Sequence, residues 1–225
     1  MTLRTNARIA GITFLGYIAA GLTSMAVYGR AAAGDGISER LASIAQHGSD
    51  MGVVVVLGLA QSFAALTLAV TLYAITRDQD RDLAMLGMIS RVVEGVMGGL
   101  SVSSTLALQW LATAAGPDAP DITAGHALAA YLFRNEMALS ATFFAAGSTF
   151  FAWLMLRGRM IPVSLAWLGV VASVLLVIAL PLQLAGALRG LITQLIWLPM
   201  LLFEVPLALW LIVKGVAVPR PKQVV

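Results

Sequence analysis

Apolar side chains run through this chain in long blocks parted by short polar breaks. Six blocks stand out, at residues 9–28, 52–75, 83–114, 126–156, 161–187 and 191–213. Each reaches the length of about 20 residues that a helix rising about 1.5 Å per residue needs to cross a hydrocarbon layer about 30 Å thick. Backbone groups in hydrocarbon must bond within their own segment. Runs of this length, with Gly and Pro scattered inside them, suit helices and exclude the alternating strands of a membrane barrel. The pattern predicts an all-α fold, a polytopic transmembrane helical bundle of six spans forming one domain over residues 1–225. In the longest break, Ile37, Leu41, Ile44 and Ala45 recur at helical spacing. They predict either a short amphipathic helix on the membrane surface or a loop that packs over the mouth of the bundle.

Composition agrees with the pattern and narrows the function classes. Hydrophobic residues make up 60% of the chain and charged ones 11%, against about 25% charged in a soluble domain. Nothing is left over for a soluble catalytic domain. The formal charge of +3 comes with basic residues placed mostly in the connections, as topology requires, so it predicts a lipid bilayer as partner and no nucleic acid. Arg4, Arg8, Arg77, Arg81, Arg157, Arg159, Lys214, Arg220 and Lys222 fall on one side of the bundle, and Arg30, Arg40 and Arg189 on the other. Cytoplasmic loops carry the excess of Lys and Arg, which predicts both termini in the cytoplasm. The five tryptophans lie towards span ends, where aromatic belts sit. Arg4 and Arg8 followed by an apolar run and Ala31-Ala32-Ala33 also fit a signal peptide, but a run of about 20 residues exceeds the usual 7 to 15 of that segment.

Charges at bilayer depth cost at least about 2.5 kcal/mol each, so those present are expected to face the interior and to pair. The candidates are Arg91 and Glu94 in the third span, Arg134 and Glu136 in the fourth and Glu204 in the sixth, with Gln61 at similar depth in the second. Arg91 and Glu94 are three apart on one helical face and can pair locally. Two arginines against three carboxylates leave one negative charge in excess. Either a carboxyl carries a proton, or a cation or cationic ligand supplies the balance. These six residues are therefore the candidate site for a small ligand, lipid or ion. The competing reading is a buried network that only fixes helix packing.

The remaining features favour packing over chemistry. Gly95, Gly98 and Gly99 form a small-residue face for close helix approach. Pro181, Pro199 and Pro206 predict kinks or ends in the last two spans. Asp78, Asp80 and Asp82 alternate like calcium ligands, but Leu83 and Ile89 stand where that loop needs Gly and Glu, so a solvated turn is expected. His47 and His126 fall in a connection or at a helix end and not paired at membrane depth, and no cysteine is present. No metal-ligand set, nucleophile elbow, phosphate loop or cofactor fingerprint is visible, so no cofactor is expected and catalysis is not favoured.

Arg8-Ile-Ala-Gly11, Arg91-Val-Val-Glu94, Leu156-Arg-Gly158 followed by Pro162 and Leu168-Gly169, and Glu204-Val-Pro-Leu-Ala-Leu-Trp-Leu-Ile-Val-Lys-Gly215 together resemble the bacterial membrane proteins grouped as domain of unknown function 4386. The resemblance covers nearly the whole chain, and the order and spacing of these short motifs carry it. It implies a bacterial inner-membrane protein of this size, and it brings no activity, substrate or catalytic residue with it. Arg91, Glu94 and Glu204 match its polar positions.

Overall fold

The computed structural model describes residues 1–116, 119–133 and 137–217, and its regular structure there is helical throughout. The apolar blocks become α1 (Leu3–Ala31), α3 (Gly48–Thr76), α4 (Arg81–Thr113), α6 (Met137–Arg157), α7 (Val163–Leu184) and α9 (Leu198–Val213). The connections add α2 (Ile37–Gln46), α5 (Ile122–Leu132) and the single turn α8 (Ile192–Leu195). Six segments are long and apolar enough to cross a membrane, the last of them running from α8 through α9.

Two blocks are divided more finely than their hydropathy foretold. The fourth begins earlier and breaks. Asp121 caps α5 by accepting from the backbone N–H groups of Thr123 and Ala124, at 2.8 and 3.0 Å, and α5 ends at Leu132 before α6 starts at Met137. The spanning piece is Leu139–Arg157. In the sixth block Pro199 sits in the first turn of α9, where its missing N–H costs nothing because that donor would be unpaired in any case. The chain accordingly makes α8, turns at Ile196 and Trp197, and starts again. In α7, Pro181 lies inside the last turn. The helix closes through Gly186 at φ +77°, with the N–H groups of Gly186 and Ala187 donating to Gln183 and Leu182 carbonyls. That is the left-handed C-terminal cap for which glycine is suited.

The described chain forms two units. The first comprises Met1–Gly16, Phe63–Gly95 and Ala138–Val225. Within it α7 lies along α9. The buried residues of α7 are Ala166, Gly169, Ala172, Ser173, Leu176, Ala179 and Leu180, and those of α9 are Met200, Phe203, Glu204, Leu207, Ala208 and Leu211. Both sets recur at intervals of three and four, which puts each on a single helical stripe. Small residues on the α7 stripe admit large ones from α9. A β-carbon on Gly169 would stand 2.5 Å from the Phe203 ring, and one on Gly11 of α1 would stand 2.6 Å from the Ala208 carbonyl. Such close approach is what holds helices together in a solvent as apolar as they are.

The second unit comprises Tyr17–Ser62 and Val96–Met137. Its core gathers Ala31, Ala32, Ile44, Met51, Leu108 and Ala129. The amphipathic pattern of the first long connection is indeed a helix. α2 packs against α5 and turns Ile44 fully inward. Arg40 of α2 stacks its guanidinium over the Phe133 ring at 3.6 Å and donates from Nε to the Ala32 carbonyl at 3.1 Å.

Candidate functional site

Helix α4 carries Arg91 and Glu94 one turn apart, with a guanidinium nitrogen (Nη1) of Arg91 2.9 Å from Oε2 of Glu94. The arginine is only 1% exposed, Glu94 4% and Glu204 6%, although charged residues are almost never buried this far without compensation. Glu204 comes from the inward stripe of α9, and its carboxyl lies within electrostatic range of both Arg91 and Glu94. All three belong to the first unit.

Apolar groups build the walls. The Arg91 guanidinium carbon lies 4.8 Å from the Phe144 ring centroid and 6.0 Å from that of Phe14, distances at which an aromatic face attracts a cation. Phe144 in turn meets Trp197, centroid to centroid 6.0 Å and tilted by 35°. Gly147 on α6 leaves room for the arginine stem to pass. A β-carbon there would stand 2.9 Å from Arg91 Cγ and 3.1 Å from both Arg91 Cδ and the Gly87 carbonyl oxygen. The site therefore draws on α1, α4, α6 and α9 and on the residue between α8 and α9. Its three described charges are one cation and two carboxylates.

A family model described as domain of unknown function (DUF4386) matches residues 9–215, from the first turns of α1 to the residue after Lys214. This chain belongs to that family. Neither the comparison with curated proteins nor that with solved structures gave a match. The match takes in every residue of the site, and its description assigns no activity to them.

The other residues singled out in this DUF4386 chain divide as follows. Gln61 belongs to the second unit, where its amide nitrogen would stand 2.8 Å from a β-carbon on Gly21 of α1. Arg134 and Glu136 lie outside the described residues. Gly98 and Gly99 face the Ser62 hydroxyl in the second unit, at 3.4 Å each from an added β-carbon, as a packing face would. Asp80 accepts from the Leu83 N–H at 3.2 Å and pairs with Arg157 at 3.4 Å, the work of a helix-starting turn. His47 keeps Nδ1 2.8 Å from the Ser43 carbonyl, and His126 lies 3.4 Å from the Ser38 hydroxyl. Among the described residues no three His, Cys, Asp or Glu side chains gather as metal ligands would.

Sequence reading missed the walls. Phe14, Phe144 and Gly147 are indistinguishable in the sequence from any other apolar or small residue of a span, and Trp197 reads as an ordinary interfacial aromatic. What could have pointed to them is the arginine itself, since a guanidinium inside hydrocarbon calls for aromatic faces and a gap wide enough for its stem.

Proposed function

We propose that this protein is a multi-pass protein of the bacterial cytoplasmic membrane, with both termini inside, that binds a small cation at Glu204. Three observations support the setting: six helices of spanning length and hydropathy, the division of basic residues outside the spans as nine on one side and three on the other, and the family to which the chain belongs. The observation that carries the binding reading is the charge balance of the site. Among the described residues one guanidinium faces two carboxylates, all three more than nine-tenths buried. Burying an uncompensated charge is costly, so the third charge favours an exchangeable positive partner, a proton or a small cation.

The geometry divides the labour. Arg91 and Glu94 form an ion pair within one helix, walled by aromatic rings and locked under Gly147. They act as the fixed half of the site and as a packing device. Glu204 comes from another helix, with Pro206 two residues on, and is the half whose partner can change. The experiment is thermal unfolding of the detergent-solubilised protein in sodium chloride, potassium chloride and choline chloride at several pH values, for the wild type and Glu204→Gln. A stabilisation by sodium, potassium or protons that Glu204→Gln abolishes while keeping its fold supports the reading. Responses that are the same in both proteins, or no response in either, reject it in favour of a cluster that only fixes packing.

A further inference from the structure

Among the described residues one non-glycine side chain stands at positive φ. It is Arg159, at +48°, in the turn that joins α6 to α7. The turn is a regular helix stop: the N–H of Arg159 donates to Leu156 at 3.1 Å and that of Met160 to Met155 at 3.0 Å. In such a stop the left-handed position is the one that glycine occupies most readily, and an L side chain there is disfavoured. The glycine of this turn stands one residue earlier, against the side chains of Gln79 and Met160. A β-carbon on Gly158 would lie 2.7 Å from Gln79 of the α3–α4 turn. The arginine is therefore held in a conformation that its backbone disfavours, and its side chain is exposed.

The neighbourhood says what that side chain faces. The α3–α4 turn meets this one through the Asp80 to Arg157 pair at 3.4 Å. Asp78 lies 3.9 Å from Arg77. Among the described residues no acid pairs with Arg159. One turn back on α6, Trp153 is 43% exposed, and one turn into α7, Trp167 is 51% exposed. Exposed tryptophans at span ends mark the depth where hydrocarbon meets headgroups. That depth would set the turn beyond them in the plane of the lipid phosphates, where an unpaired guanidinium is suited to bind one through paired N–H donors.

We propose that the α6–α7 turn is a binding site for the phosphate of an anionic phospholipid. Arg159 is its ligand, Arg157 stays paired with Asp80 beside it, and Trp153 and Trp167 lie against the lipid below the headgroup. The inference is independent of the cation reading for Glu204. The test is native mass spectrometry of the full chain in mild detergent, titrated with phosphatidylglycerol and with phosphatidylcholine, for the wild type and Arg159→Gly. That substitution removes the guanidinium and relieves the backbone, so the variant is expected to fold at least as well.

Retention of phosphatidylglycerol should fall about fivefold, the effect of one cation at an anionic surface, with phosphatidylcholine unchanged. Wild-type retention of phosphatidylglycerol by Arg159→Gly would overturn the proposal, as would equal loss of both lipids. Full displacement of phosphatidylglycerol by excess inorganic phosphate would also overturn it, making the turn a site for soluble phosphate. A lowered melting temperature for Arg159→Gly would assign the arginine a structural role instead.

Discussion

Gly147 presents bare backbone to Arg91, so close that a β-carbon at this position would stand 2.9 Å from Cγ of the arginine. The same atom would press on the Gly87 carbonyl oxygen at 3.1 Å, which leaves the arginine stem little room to step aside. Gly147→Ala is therefore expected to destabilise the protein by about 1–3 kcal/mol through overpacking. Thermal unfolding in detergent reads this as a lowered midpoint.

Arg91 and Glu94 test the logic of buried pairs. Removing one partner leaves the other charge uncompensated, so Arg91→Ala is expected to cost about 3–5 kcal/mol. Replacing both by apolar residues of similar size, Arg91→Met with Glu94→Leu, should cost less than Arg91→Ala alone. The comparison of the two midpoints decides it. A double variant less stable than the single one would show that the pair contributes more than its charge balance.

The contact of α7 with α9 rests on Gly169 under the Phe203 ring. Gly169→Ala should lower the melting temperature. Combined with Phe203→Leu, which vacates the space, it should lower it by less than the sum of the two single effects, because residues in contact are not additive.

Asp121 starts α5 by taking up two backbone donors. Asp121→Ala is expected to cost about 1 kcal/mol, and Asp121→Asn much less, since the amide oxygen can still cap. Limited proteolysis of the connection before α5 measures the difference.

Much of this fold was legible because hydrocarbon is a simple solvent. A run of about 20 apolar residues has one way to satisfy its backbone there, and all six spans appear with the expected order. What the runs concealed were interruptions whose signals are weak in hydropathy. Asp121 caps α5 ahead of the fourth block, and α5 ends at Leu132 inside it, yet the block is apolar enough to read as one segment. The pair of Arg91 and Glu94 follows from helical spacing alone. Glu204 as their neighbour depended on which spans adjoin, and a single sequence does not encode that contact locally. The aromatic walls were hidden for the same reason: a membrane helix is apolar on all sides, so its inward face does not stand out.

Four hydroxyls of the first unit bear on any proton that reaches Glu204. Thr71, Thr76, Thr149 and Ser173 each donate to a carbonyl one turn back in their own helix, at 2.7 to 2.8 Å. A hydroxyl has one hydrogen to give, and theirs are spent. As they stand, these four offer no free hydrogen to a neighbouring helix. A route to Glu204 through any of these four would have to break its local bond first, so each of them acts as a fixed strut of its own helix and not as a ready relay.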